Sequence, residues 1–315
     1  MRSSQKLLGL ILPSKGRFFD LIVTLIFVPL DSPSILRVHF FICANYNAFQ
    51  LWLLNFFFSK RATIIDEKKL KQNGATAAFN YAFDEALKEN ATWVALWADD
   101  LLPENKLWLF SLYGLISKRN FSFGIFSSDE GNHKKQFGWN IIAGYPCAHF
   151  FVARVKNLPG YLLNPALIAY VADNEIVVSR IKKKVKIFLL PVRVIHQPTM
   201  NNTRKLNAKR YKKDLSIFYR LHPELKGKFN SAVLGLPDKK KNCKYIIESG
   251  KTLLFHDKIS MLDITEFKAK APFHRLTFQY SLLKVLRFIV NEALFGFSSL
   301  PKRIVFFFFK RFKVT

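Results

Sequence analysis

Val94-Ala95-Leu96-Trp97-Ala98-Asp99-Asp100 is a run of five apolar residues that ends in two acids, and Leu101-Leu102-Pro103 follows it. Such a run predicts a buried strand that stops at a pair of carboxylates. Carboxylates at a strand end can hold a divalent cation between the protein and phosphate oxygens. Adjacent aspartates also commonly form turns or cap helices. The surrounding sequence therefore has to distinguish a ligand site from an ordinary turn.

Apolar segments that end in polar residues alternate with predicted helices on both sides of this run. Strands are predicted over Leu7–Leu12, Leu36–Cys43, Ala62–Ile65, Trp93–Ala98, Phe121–Phe126, His149–Val155 and Val185–Ile195. Helices are predicted over Phe18–Leu30, Ala75–Leu87 and Leu107–Ser117, with another that starts near Asp173. This alternation indicates an α/β fold with a mostly parallel sheet covered by helices on both sides. The acid pair is then expected at the carboxyl edge of the sheet, where ligands bind.

Composition and charge limit the class of protein. The 315 residues are 50% hydrophobic, which is enough for a real core, and 49 Lys and Arg against 22 acids give a formal charge of +27. That charge favours a polyanionic partner: nucleic acid, an anionic membrane surface or a phosphorylated substrate. Three widely spaced cysteines favour neither a disulfide framework nor a zinc knuckle, and they suit a reducing compartment. No apolar segment reaches membrane-spanning length, and Leu51–Phe58 is among those that fall short.

Taken in order, five pieces of the sequence from about Leu7 to about Pro223 resemble the family 2 glycosyltransferases of the GT-A fold. The pieces are Leu12-Pro13-Ser14-Lys15-Gly16-Arg17, Asn80, Trp97-Ala98-Asp99-Asp100, Ala172-Asp173-Asn174-Glu175 with Arg180, and His196. The resemblance implies that a nucleoside-diphosphate-sugar donor binds over the carboxyl edge of the sheet. It also implies that Mn²⁺ or Mg²⁺ bridges the diphosphate.

The resemblance assigns chemical roles to single residues. Asp100 and His196 are the implied metal ligands, and Asp99 is expected to bind ribose or to assist the metal. Asp173 is the implied catalytic base that takes the proton of an attacking acceptor hydroxyl. Glu175 is the second choice, because two residues further along a helix it points to a different face. Direct displacement with one base implies inversion at the anomeric carbon.

The remaining donor-binding residues predicted from the resemblance lie around these groups. They are Pro13, Ser14, Arg17, Asn45, Asp66, Asn80, Arg204 and Lys205. The last two belong to the basic stretch Thr203–Asp214, which the family often uses as a lid over the diphosphate and which also suits a solvated helix face.

Two departures from the family pattern put metal and base recognition in question. Ala44 and Asn45 stand where an acid often follows the second strand, and Ala98 replaces the first acid of the frequent Asp-x-Asp spelling. Asp66 can supply a nucleoside contact instead, or form an ordinary turn.

The sequence changes character beyond the predicted catalytic domain of residues 1–225. Residues 226–267 are predicted to be a linker and accessory segment, and residues 268–315 a basic, aromatic helical extension. Basic residues interleaved with aromatic rings suit an interfacial helix on an anionic membrane. Packing against the catalytic domain is the other interpretation of the same pattern.

The sequence as a whole predicts a hexosyltransferase-like enzyme with a glycan or lipid-linked acceptor, such as surface polysaccharide or lipopolysaccharide. It is expected in the cytoplasm, peripherally on the inner face of the membrane. Two other interpretations stay open. A basic nucleic-acid-binding protein fits the charge and the aromatic content, although no recognisable nucleic-acid motif is present. A degenerate GT-A protein that binds sugar nucleotides without turnover fits the departures at Ala44 and Ala98.

Overall fold

A computed structural model describes residues 5–70, 74–103, 105–128, 140–142, 145–147, 150–183, 185, 187–196, 210–226 and 264–266. All of them belong to one compact unit, Met1–Phe273. The predicted extension 268–315 and the predicted phosphate-binding residues Arg204 and Lys205 lie outside the described residues.

A large, mostly parallel sheet forms the centre of this unit. Its strands are β1 Lys6–Lys15, β2 Leu36–Asn45, β3 Ala62–Asp66, β4 Ala91–Leu96, β5 Leu101–Pro103, β6 Phe123–Ser128, β9 Phe151–Arg154, β10 Ile187–His196 and β11 Ile264–Glu266, and β7 Asn140–Ile142 pairs separately with β8 Tyr145–Cys147. The order is β11-β10-β6-β9-β4-β1-β2-β3, with β5 beside the end of β10. Strand β9 runs antiparallel between β4 and β6.

Helices flank the sheet, and the apolar side chains between them form the core. The helices are α1 Phe18–Phe27, α2 Ala48–Phe58, α3 Ala75–Lys88, α4 Trp108–Ile116, α5 Ala172–Lys182 and α6 Tyr211–Leu221. The strands read as apolar runs because several are covered on both faces; β1, for example, is buried from Leu7 to Leu12. The predicted fold class, an α/β fold with a mostly parallel sheet flanked by helices, is confirmed.

Most predicted boundaries shift by one or two residues in the structure, and two of the differences involve proline. Strand β1 continues through Pro13 to Lys15 instead of ending at Leu12. Its pairing with β4 stops at Ile11, whereas its pairing with β2 runs on to Lys15, so Pro13 lies where the strand has only one neighbour. Helix α1 ends at Phe27 and not at Leu30, because Pro29 disfavours helical backbone in the residue before it.

Helix α2 and strand β5 were not predicted. Helix α2 begins with a capping box in which Asn47 Oδ1 accepts from the Gln50 backbone N–H at 2.8 Å and Gln50 Oε1 accepts from the Asn47 N–H at 3.2 Å. Strand β5 directly follows the acid pair and pairs antiparallel with the end of β10. Across the described ranges, no helix combines the length and apolar character needed to cross a bilayer.

Candidate functional site

The acid pair lies in the turn that joins β4 to β5. The Trp97 N–H donates to the Ile11 carbonyl at 2.9 Å, so the chain stays beside β1 for one residue beyond β4. The Trp97 ring packs on Trp108, with ring centroids 5.1 Å apart, and this contact fixes the approach to the turn. Asp99 and Asp100 then follow with both side chains buried. The predicted strand and its acidic end are therefore present at the carboxyl edge of the sheet.

Arg17 brings a positive charge to both acids. It stands in the turn between β1 and α1, where Gly16 adopts a left-handed φ of 69° that favours glycine. The Arg17 guanidinium contacts Asp99 Oδ1 through Nη2 and Asp100 Oδ2 through Nη1, the second at 2.5 Å. One guanidinium thus bridges two adjacent carboxylates, a geometry that its planar fork of donors permits.

Hydroxyl groups complete the surroundings of Asp99. Ser14 Oγ donates to Asp99 Oδ2 at 2.6 Å. Because the Ser14 proton points to Asp99, the Tyr46 hydroxyl that contacts Ser14 Oγ acts as the donor of that second bond. Thr24 Oγ1 donates to the Asp99 backbone carbonyl at 2.8 Å. The sequence predicted Ser14 as a donor-binding residue but gave no role to Tyr46 or Thr24.

Burial and ionic contacts both shift the pKa values of Asp99 and Arg17. Burial raises the pKa of Asp99 to about 7, the neighbouring Asp100 raises it as well, and Arg17 and the Ser14 hydroxyl counteract the rise. Burial lowers the pKa of Arg17, but the negative charges of Asp99 and Asp100 outweigh burial and the net pKa is raised. The Arg17 guanidinium therefore offsets part of the cost of burying two adjacent carboxyl groups.

The two carboxylates fit a divalent cation by ligand type, since Mg²⁺ and Mn²⁺ prefer carboxylate oxygens. Arg17 holds oxygens of both groups, so a metal ion and the guanidinium compete for the same place. Within the described part of the chain, no group of three or more His, Cys, Asp and Glu is arranged so that it could hold a metal ion. The His196 backbone lies opposite Leu101, next to Asp100, and its side chain is outside the described part.

The neighbouring strands bring more of the predicted donor-binding residues to the same edge. In the parallel register, Ser14 lies beside Ala44 and Ala44 beside Asp66. Pro13 lies beside Cys43 and Asn45 beside Lys15, one position before and one position after the pair Ser14 and Ala44. The Asp66 carboxylate accepts from the Lys68 N–H at 3.1 Å and caps a short 3₁₀ helix, Glu67–Lys69.

Lys15 and Glu67 also belong to this edge, although neither was predicted as a site residue. Lys15 Nζ lies 3.9 Å from Glu67 Oε2, and Glu67 is buried. The only sequence signal for Glu67 was its position directly after Asp66, at a strand end.

Asn80 lies in α3 and is engaged by the backbone of another segment. Its Oδ1 accepts from the N–H groups of Leu162 and Leu163 at 3.0 and 2.9 Å, and its Nδ2 donates to the Leu163 carbonyl at 2.8 Å. These three bonds use both the oxygen and the nitrogen of the Asn80 amide, which supports a structural role more than contact with a ligand.

The two candidate bases occupy different environments at the start of α5. Asp173 is half-buried, and its Oδ1 accepts from the Asn174 N–H at 3.0 Å. Glu175 is buried in an internal cluster in which Ser179 donates to Oε1 at 2.5 Å and His222 Nε2 lies 3.6 Å away. Burial raises the pKa of Glu175, but the nearby His222 ring and the hydrogen bond from Ser179 outweigh burial and lower it. A lowered pKa makes Glu175 a weaker base than an ordinary glutamate.

A buried carboxylate on α6 holds the loop that precedes α5. Asp214 accepts from the backbone N–H groups of Ile168, Ala169 and Tyr170 at 3.0, 2.8 and 2.8 Å. The sequence placed Asp214 at the end of a basic lid or solvated helix face, and its burial was not anticipated. The one available signal was an isolated acid at the end of a run of Lys and Arg.

No protein-family model matches the sequence, and no curated protein matches it either. Among solved structures, the mannosyltransferase PcManGT from Pyrobaculum calidifontis, in complex with GDP-Man and Mn²⁺, is similar with a TM-score of 0.49 and 9% identity over 71% of this chain. S. aureus TarS 1-349 in complex with UDP has a TM-score of 0.43 and 13% identity over 61% of this chain.

Glucosyl-3-phosphoglycerate synthase from Mycobacterium tuberculosis, in complex with Mn²⁺, UDP and glucosyl-3-phosphoglycerate, has a TM-score of 0.47 and 9% identity. Its match covers 90% of this chain and 92% of the synthase. By contrast, the chain spans less than two thirds of the other two proteins, 65% of the mannosyltransferase and 61% of TarS 1-349.

Proposed function

We propose that this chain is a GT-A glycosyltransferase that moves a sugar from a nucleoside-diphosphate donor to a hydroxyl acceptor. The observation that carries the proposal is the convergence of Ser14, Arg17, Asp99 and Asp100 at the carboxyl edge of a parallel sheet. Nucleotide ligands bind at this edge in open α/β sheets. The assignment to family 2 and to hexosyl transfer belongs to the same proposal.

The charges of the cluster suit a diphosphate leaving group. Breaking the bond between the anomeric carbon and the diphosphate places negative charge on phosphate oxygens, which cations must stabilise. Arg17 stands immediately before α1, where backbone N–H groups at a helix start also favour anions. We assign Arg17 to the diphosphate and the acid pair to the cation that accompanies it.

Asp99 and Asp100 would hold Mn²⁺ or Mg²⁺, with His196 as a further proposed ligand. When bound, the ion supplies Lewis-acid stabilisation of the departing diphosphate. Arg17 must leave the carboxylates for this to occur, because it contacts the same two groups. Ser14 keeps Asp99 oriented during that exchange through its hydrogen bond to Oδ2. Pro13, Asn45 and Asp66 are proposed to line the nucleoside side of the edge.

Asp173 is the proposed base for the acceptor hydroxyl. It is half-buried at the start of α5, whereas Glu175 is engaged inside the protein. Removal of the hydroxyl proton by Asp173 lets the acceptor oxygen form its bond to the anomeric carbon as the diphosphate leaves. Displacement with a single base gives inversion. A glycan or lipid-linked acceptor, and a location on the inner face of the cytoplasmic membrane, complete the proposal.

A thermal-shift experiment on the full chain tests the donor site. UDP, GDP, CMP and dTDP sugars are compared with and without Mn²⁺, using the wild type, Asp100→Asn and the surface control Glu89→Gln. A Mn²⁺-dependent rise in Tm with one nucleotide class, lost in Asp100→Asn and kept in Glu89→Gln, supports the proposal. No rise with any nucleotide, together with salt-sensitive binding to random RNA, would favour the nucleic-acid interpretation instead.

A further inference from the structure

Helix α2 presents an unusual number of exposed aromatic rings. Phe49 is 65% exposed, Trp52 56%, Phe56 65% and Phe57 66%, and within this helix only Leu54 is buried. Single exposed apolar residues are ordinary, but a contiguous group of large rings marks an interaction surface.

The four rings form one continuous patch. Phe49, Trp52 and Phe56 follow the three- and four-residue spacing of a single helix face. The rings of Phe49 and Trp52 stack with centroids 6.0 Å apart, those of Trp52 and Phe56 stack at 5.4 Å, and Phe57 meets Phe56 edge-on at 5.0 Å. Because the rings support each other, they stay together as a surface.

The helix that carries the patch is firmly held. The capping box of Asn47 and Gln50 fixes its start, and Leu54 anchors it on the side toward the protein. It packs on β3, the last strand in the sheet order. The aromatic patch therefore faces away from the sheet.

The charge around the patch indicates the chemistry of its partner. Residues 32–65 contain no Asp or Glu, and Lys60 and Arg61 directly follow the helix. Lys60 is exposed, while Arg61 donates to the Val28 carbonyl at 2.9 Å. The whole chain carries a formal charge of +27. An anionic surface complements this region, because residues 32–65 contain no acid that would repel it.

We propose that α2 is an interfacial membrane element, with the rings of Phe49, Trp52, Phe56 and Phe57 in the headgroup region of an anionic bilayer. An eleven-residue helix is about 16 Å long, too short to span the hydrocarbon core, so it lies in the plane of the interface. Trp and Phe favour this depth, and Lys60 is placed to meet lipid phosphates. Helix α2 is a different segment of the sequence from residues 268–315, and the inference does not depend on the proposed enzymatic activity.

Trp52 provides a local probe of the inference in the full chain. Vesicles with about one third anionic lipid are prepared with and without brominated acyl chains. The emission of Trp52 is obtained as the difference between the wild type and Trp52→Phe. We expect a blue shift and quenching by brominated lipid in this difference signal, and neither effect with purely zwitterionic vesicles. A vesicle-independent Trp52 signal overturns the proposal, even if the protein floats with vesicles, because another segment then provides the attachment.

A matched pair of double variants tests the energetic contribution of the rings. Phe56→Gln with Phe57→Gln is expected to weaken vesicle partitioning by at least about tenfold per ring, whereas Leu107→Gln with Phe110→Gln is expected to leave it unchanged. The control residues are also exposed, at 37% and 47%. Equal partitioning of both variants, with unchanged Tm values, overturns the proposal. The proposal is also overturned if acrylamide fails to quench the Trp52 fluorescence in the absence of vesicles, because a protein segment or a second copy of the chain then covers the patch.

Discussion

Replacing Arg17 with methionine should destabilise the protein far more at alkaline than at acidic pH. Methionine keeps much of the side-chain volume but removes the guanidinium that contacts Asp99 and Asp100. The perturbation therefore leaves two buried carboxyl groups without their shared cation.

The magnitude follows from the protonation of Asp99. The folded-state pKa of Asp99, about 7, lies above the ordinary value of 3.8. The folded protein is therefore more stable at low pH, where Asp99 is protonated, and it loses this stability as the pH rises through about 7 and Asp99 ionises. At about pH 5.5 Asp99 is largely protonated, and the variant loses mainly one charge-assisted contact to Asp100, about 1.5 kcal/mol. At about pH 8.5 both acids depend on Arg17, and the loss becomes about 3–5 kcal/mol, as expected for breaking a buried ion pair.

Urea denaturation of the full chain at both pH values measures the two losses. Arg154→Met is the matched control, because Arg154 donates to the backbone carbonyls of Ile116, Lys118 and Arg119. Its loss of stability should be equal at the two pH values. An Arg17→Met loss that is the same at both, or larger at the acidic one, would refute the inferred coupling between Arg17 and Asp99.

Three further predictions concern the scaffold and the proposed base. Asp214→Asn should lower the free energy of unfolding by about 3 kcal/mol, because the amide cannot satisfy three backbone donors, while the exposed control Lys213→Gln should change it by less than about 0.5 kcal/mol in the same urea experiment. Gly74→Ala should cost about 2 kcal/mol by urea denaturation, since φ is 128° and a Cβ would lie 2.7 Å from the Ile168 carbonyl oxygen. Asp173→Asn should reduce kcat in a sugar-transfer assay by about a hundredfold or more and leave Tm unchanged, whereas Glu175→Gln should lower Tm in a melting assay. The reverse pattern would make Glu175 the base and Asp173 the structural residue.

Local patterns made part of the site predictable. The apolar run before Asp99 and the polar residues that close β1 and β2 mark strand ends, and parallel pairing brings those ends to one edge. The contact between Arg17 and Asp100 joins residues 83 positions apart, so sequence spacing alone could not reveal that the guanidinium occupies the acid pair.

Other elements were missed because tertiary contacts decide them. Helix α2 had a local start signal in Asn47 and Gln50, but its almost wholly apolar sequence lacks the usual polar face of a surface helix. Glu175 and Asp173 look alike in the sequence. Their difference comes from His222, which reaches Glu175 from a segment beyond α6. The burial of Asp214 likewise depends on a loop 44–46 positions earlier in the chain.

The attachment of that loop to Asp214 also determines which parts of the protein open together. Ile168, Ala169 and Tyr170 share one acceptor on α6, and the Ile168 carbonyl accepts in turn from the Thr76 N–H of α3 at 3.1 Å. Amide hydrogen exchange at the three donors should therefore follow the unfolding of α6 as one cooperative unit. Since the same loop leads directly into α5, a local opening that begins at residue 214 would displace Asp173, forty-one positions away in the sequence.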